Sequence, residues 1–157
     1  MASFVPFLLF LHVMGAIVAF GPTFAYSIMG AMAGREPQHA NFSARQTEAI
    51  GNKMVYPMAI FQGISGLLLI LALNIDLTST RWLGVGIILY AIALTYSLTV
   101  QRKALLRLIE LTSTPPVPGS PPSPEIPATV KKIQRGGMFL GLMIVVIVLL
   151  MVTKPTF

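Results

Sequence analysis

Cysteine is absent from the 157 residues, and charge is scarce: five Asp and Glu with eleven Lys and Arg, 10% of the chain. Each shortage excludes something. Without cysteine there are no disulfides, no thiolate-bound zinc, no iron–sulfur clusters and no cysteine nucleophile. Charged residues make up roughly 25% of ordinary soluble domains. The few present here cannot shield from water a chain that is 55% apolar. Lipid is the solvent this composition requires. The length allows one domain, and at about 20 residues per span it allows roughly four or five membrane crossings.

What the chain has in abundance is long apolar runs. No Lys or Arg precedes Arg35, so the stretch from about Phe4 to Met32 lacks the basic start of a signal peptide and reads as a first span. Pro22 within it removes an amide donor and crowds the Val18 carbonyl, which predicts a kink. Residues 33–53 are polar and form a first loop with room for a short surface helix. A second span is expected over 54–74, with Pro57 in its first turn, and a third over 82–100; the short link between them predicts an antiparallel hairpin. The third helix continues as the basic run Gln101 to Leu111. Thr112 to Pro127 holds seven prolines and reads as an extended linker. A fourth span follows over 136–152. The expected fold is all-α, a single integral membrane four-helix bundle over residues 1–157.

The first and third loops carry Arg35, Arg45, Lys53, Arg102, Lys103, Arg107, Lys131, Lys132 and Arg135, whereas Arg81 and Lys154 fall on the other side. By the positive-inside rule the long loops are cytoplasmic and both termini outside, in a multi-pass membrane protein. Trp82 and Tyr56 then sit at the outer and inner interfaces. A basic excess spread this way gives no reason to invoke nucleic acid; the expected partners are the bilayer and other membrane subunits or a second copy.

No Asp, Glu, Lys or Arg lies inside a span, which argues against proton-coupled transport and intramembrane aspartyl proteolysis. A serine protease constellation is missing as well, and no catalytic residue is nominated. His12 stands out among the polar residues that remain. A rise of about 1.5 Å per residue puts it about 12 Å below Phe4, puts Tyr90 as deep below Trp82, and brings Gln62 near mid-membrane. His12, Gln62 and Tyr90 are therefore the candidate site. Two readings are open: a metal or haem ligand, since neutral imidazole is a common axial donor, or a structural histidine hydrogen-bonded to Gln62 or Tyr90. One histidine is too few for tetrahedral zinc, and His39 belongs to the solvated loop. The methionines are scattered, as packing residues are; Met58 or Met138 could serve as a second axial ligand. Gly15, Gly21, Gly30, Gly63, Gly66, Gly84 and Gly86 allow close helix approach, and Gly137 with Gly141 forms a GxxxG pair. The aliphatic fourth helix is expected to face lipid or a partner and to supply no site residue.

The run Phe7 to Gly21 (FLLFLHVMGAIVAFG), with Tyr56-Pro57, Gly63 to Leu69 (GISGLLL), Trp82-Leu83 and Arg102-Lys103, resembles a bacterial family of uncharacterised small integral membrane proteins. That family is similar to the CopD-like group, which includes copper-resistance proteins and the haem-dependent membrane protoporphyrinogen oxidase. The resemblance covers about the first 110 residues. It implies a four-helix bundle of the bacterial inner membrane with haem b ligated by His12. The oxidase also carries a lysine shortly after the third-helix tryptophan, where this chain has Gly86, and that departure puts protoporphyrinogen oxidation in doubt. Two functions are thus expected: haem-based electron transfer or redox chemistry, or a non-catalytic accessory subunit of a larger membrane complex. A small-molecule or metal transporter ranks third.

Overall fold

The computed structural model describes residues 4–114 and 123–156. These fold into helices without a strand among them. The helices are α1 (Phe4–Arg35), α2 (Ala40–Ile50), α3 (Tyr56–Ala72), α4 (Arg81–Tyr96), α5 (Arg102–Leu111) and α6 (Glu125–Thr153). Four helical runs are long and apolar enough to cross a membrane: Phe4–Arg35, Pro37–Ala72, Arg81–Leu111 and Glu125–Thr153. The chain is an integral membrane four-helix bundle. Its surface is what lipid requires, with Phe, Leu, Ile, Val and Met side chains such as Phe10, Ile28, Leu71 and Val152 exposed over half or more of their area.

Local chemistry sets the helix ends. Pro37 cannot continue α1, and Glu36 before it has left the helical region (φ −127°, ψ 73°), as a residue preceding proline does. A three-residue 3₁₀ turn, Pro37–His39, leads into α2. The expected polar loop is therefore almost entirely helical and runs on into the second span. The junction is a π-helical turn, Gly51–Val55, in which the Tyr56 amide reaches the Gly51 carbonyl five residues back. Pro57, just downstream, has no amide for the Lys53 carbonyl, so a wider turn is a natural local solution. A second π turn, Ser97–Gln101, joins α4 to α5, with the Arg102 amide on the Ser97 carbonyl. Asn74 (φ 49°) ends α3 in the left-handed region, which asparagine tolerates. Lys154 (φ 44°) does so for α6, followed by Pro155.

One expectation is corrected: the helix that carries the fourth span already begins at Glu125, so Glu125 to Pro127 of the expected extended linker are helical. Pro127 sits in its first turn, where a missing donor costs nothing because those amides lack intrahelical acceptors anyway. Of the expected linker over Thr112 to Pro127, residues 115–122 lie outside the described segments. Pro22 lies within α1 without ending it. Thr23 donates its hydroxyl to the Phe20 carbonyl at 2.6 Å, satisfying an acceptor next to the proline.

The closest helix pairings are α1 with α3 and α4 with α6, while α2 and α5 pack on each other at the basic end. The α3 and α4 backbones stay further apart and are bridged by Tyr90. Its ring packs on Gly63 and its hydroxyl donates to the Ala59 carbonyl. Asn41 of α2 donates to the Ile109 carbonyl at 2.9 Å and to the Thr112 hydroxyl at 3.0 Å, fastening α2 to the end of α5.

Candidate functional site within the bundle

Gln62, Ser65 and Gly66 are three and four residues apart, so α3 presents them on one face. That face meets His12 of α1. The His12 Nδ1 lies 2.8 Å from Ser65 Oγ and its Nε2 lies 2.9 Å from Gln62 Nε2. Ser65 Oγ in turn donates to the Gln62 carbonyl at 3.2 Å. Placing the serine proton there gives one self-consistent assignment of the network. The Nδ1–H donates to Ser65, and the Gln62 amide nitrogen donates to the lone pair on Nε2, an assignment made from the bonding pattern. The imidazole is neutral, with its donor tied down and its acceptor turned toward Gln62.

Two glycines make this approach possible. A methyl group on Gly66 would lie 3.1 Å from His12 Cε1, and one on Gly15 would lie 3.0 Å from Gln62 Oε1. Each helix thus provides a glycine opposite the other's polar side chain. Ser65 is 1% exposed and Gln62 9%. Gln62 Oε1 is buried without a partner, so only the bond to His12 holds the amide in place. Beside Gly15 an open apolar groove of about 260 Å³ is lined by Leu11, Met14, Gly15, Val18, Met58 and Phe61.

Of the sequence candidates, the structure brings His12 and Gln62 into direct contact. Tyr90 lies beside them on Gly63 but spends its hydroxyl on Ala59 rather than on the imidazole. Ser65 is the residue that sequence reasoning did not nominate; its spacing of three from Gln62 was the available signal. Met58 lines the groove, whereas Met138 is 68% exposed on α6. His39 is exposed near Glu36, 3.8 Å away. Among the described residues no three His, Cys, Asp or Glu side chains come together as a metal cage.

The glycine reading also needs correction. Gly21, Gly30, Gly84 and Gly141 have no neighbouring atom within 4 Å of an added methyl, so they make no tight helix contact. The close approach of α6 is made at Gly136, where a methyl would overlap the Gln101 side chain and the Tyr96 hydroxyl. Gln101 donates its amide to the Ile133 carbonyl at 3.0 Å, and Tyr96 packs edge-on against Phe139 with ring centroids 5.0 Å apart.

The profile of a family described as predicted integral membrane protein (DUF2269) matches residues 6–155. The chain belongs to this family. No curated protein and no solved structure matches it. Family membership and the four apolar helices agree in placing the chain in a lipid bilayer.

Proposed function

We propose that this member of the DUF2269 family binds haem b through His12 Nε2 and serves electron transfer or redox chemistry within the membrane. One observation carries this reading: a neutral imidazole inside the bundle with Nδ1–H held by Ser65 and a lone pair on Nε2. An oriented donor of this kind is what an axial ligand needs, because the hydrogen bond on one ring nitrogen fixes the tautomer and raises the basicity of the other. The chemistry of the donor set suits such a group. The Gln62 amide that lies across Nε2 is held by one bond and has an orphaned oxygen, so displacing it sacrifices one interaction. The neighbouring groove is apolar, with Met14 and Met58 on its walls. Haem when bound supplies one-electron redox chemistry set by its axial ligand and surroundings. In that arrangement Ser65 fixes the imidazole, and Gln62 and Tyr90 shape the polar edge of the pocket. The distribution of basic residues supports an orientation with the α2–α5 end cytoplasmic and both termini outside.

The visible spectrum of detergent-purified protein expressed with a haem supply tests this reading. A Soret band abolished by His12→Ala and altered by Ser65→Ala is expected; a colourless wild-type preparation sinks it. A second reading, a non-catalytic accessory subunit, is favoured by α6. Gly136 is the only buried residue of that helix, and its aliphatic face is free for a partner subunit or a second copy. Co-purification of a larger membrane protein in mild detergent, with no absorbing cofactor, is the outcome expected from that alternative.

A further inference from the structure

Three buried side-chain atoms among the described residues lack a hydrogen-bond partner: Gln62 Oε1, Tyr26 Oη and Arg102 Nε. The first belongs to the site above. The other two lie at the opposite depth. At about 1.5 Å per residue, Tyr26 is about 33 Å along α1 from Phe4, and Arg102 about 30 Å along the third run from Trp82. Both distances match a hydrocarbon core of about 30 Å. Tyr26 and Arg102 therefore reach the headgroup boundary at the end of the bundle that carries nine of the eleven Lys and Arg.

Tyr56 connects them. It lies within electrostatic reach of Tyr26 on one side and of Arg102 and Glu48 on the other. Its ring packs on Gly51, 3.3 Å from where a methyl would stand. Both π turns among the described residues border this place, Gly51–Val55 immediately before Tyr56 and Ser97–Gln101 immediately before Arg102. Such turns re-aim side chains and recur at functional sites. Arg102 is poorly neutralised. The Glu48 carboxylate is 3.9 Å from its Nη2, beyond hydrogen-bond distance, and is itself engaged by the Asn52 amide. The Arg102 Nε–H and the Tyr26 hydroxyl, one on either side of Tyr56, are thus two donors that no acceptor of the chain engages.

We propose that Tyr26, Tyr56 and Arg102 form a binding site for a phosphate group, supplied by the headgroup of an anionic phospholipid. Guanidinium forks and phenolic hydroxyls pair with phosphate oxygens, and the surrounding basic end attracts an anionic headgroup. Glu48 is the negative group that a bound phosphate competes with for Arg102.

Full-length protein in maltoside micelles, titrated with phosphatidylglycerol or phosphatidylcholine and read by native mass spectrometry, tests the site. Inorganic phosphate forms a third arm. Phosphatidylglycerol is expected to be retained about fivefold over phosphatidylcholine, whose choline ammonium offsets the phosphate charge and is repelled by the basic end. Arg102→Lys keeps the charge but lacks Nε–H, and Tyr26→Phe keeps the ring but lacks the hydroxyl; both reduce the retention of phosphatidylglycerol and with it that preference. Glu48→Gln strengthens it. Inorganic phosphate that binds alone and displaces the lipid, with the same dependence on Arg102 and Tyr26, supports the site and identifies free phosphate as its source. Equal retention of both lipids, with no phosphate binding, overturns the proposal, as does a preference that both substitutions leave intact. Thermal melting by circular dichroism accompanies each variant. Should Tyr26→Phe not fold, Arg102→Lys and Glu48→Gln decide.

Discussion

His12 is the most consequential side chain in the protein because both of its ring nitrogens are used inside the membrane. In hydrocarbon a polar group without a partner is costly, and hydrogen bonds between membrane helices contribute about 0.6 kcal/mol on average and about 1–2 kcal/mol at the upper end. Ser65→Ala removes the acceptor for Nδ1–H and is expected to lower stability by about 1 kcal/mol, measured by sodium dodecyl sulfate unfolding of the detergent-solubilised protein. Gly66→Val is more severe, because its side chain would enter the space of His12 Cε1 and push α1 away from α3; a loss of about 1–3 kcal/mol is expected in the same measurement. Asp76, in the link between α3 and α4, offers a different observable. The Thr78 hydroxyl and amide both bond its carboxylate, at 2.8 Å and 2.9 Å, and with the Ser79 contacts they hold its pKa below the ordinary aspartate value. Since the folded pKa is the lower one, the favourable contribution is present above the unfolded pKa and is lost as pH falls through the folded value. A carbon-detected NMR titration should place the Asp76 midpoint below that of a free aspartate, and Thr78→Val should move it back up.

At the scale of the elements, glycine position decides how α6 joins the rest. Gly136 faces Gln101 and Tyr96, whereas Gly141 faces open space. Gly136→Ala is expected to destabilise the α4–α6 and α5–α6 contacts by about 1–3 kcal/mol through overpacking. Gly141→Ala should be neutral or slightly stabilising, since alanine is the better helix former by up to about 1 kcal/mol. Parallel unfolding curves of the two variants check this, and equal losses would count against the packing described. The start of α6 is also tied by charge. Arg107 of α5 donates to Glu110 at 2.8 Å and to Glu125 of α6 at 2.6 Å. These bonds raise an already high guanidinium pKa, but the exposed position and solvent screening leave little net stability in such a pair. The helix association therefore rests on Gly136, Gln101 and the Tyr96–Phe139 ring pair rather than on this ion pair.

For the whole molecule, the contrast of nine basic residues against two makes orientation a measurable property. The natural absence of cysteine makes single-cysteine labelling direct. Thr78→Cys, in the α3–α4 link, and Gln38→Cys, between α1 and α2, lie on opposite faces of the bundle and are expected to react with a membrane-impermeant maleimide from opposite sides. The Thr78 variant should label in intact cells and the Gln38 variant only after permeabilisation. Labelling of both from the same side would overturn the four-span arrangement.

The number of spans and their approximate places were legible because hydropathy acts along the chain: twenty apolar residues need lipid whatever they pack against. His12 and Gln62 were legible for a related reason, since depth follows from helical rise and polar residues in apolar runs are few. The extent of α6 was not, because prolines that break a helix interior are harmless in a first turn, and composition alone does not say where the turn starts. Nor was the identity of the contacting glycines. Gly137 and Gly141 match the common motif, but the rotation of α6 about its axis presents Gly136 instead. Sequence by itself determined that this is a lipid-embedded four-helix protein with a single histidine available at depth. Only the tertiary structure decided that Ser65 completes the histidine network, that Tyr90 turns to the Ala59 carbonyl, and that Tyr26 and Arg102 are left without acceptors. Those outcomes depend on helix rotation and on π turns, which are set by contacts between segments far apart in the chain.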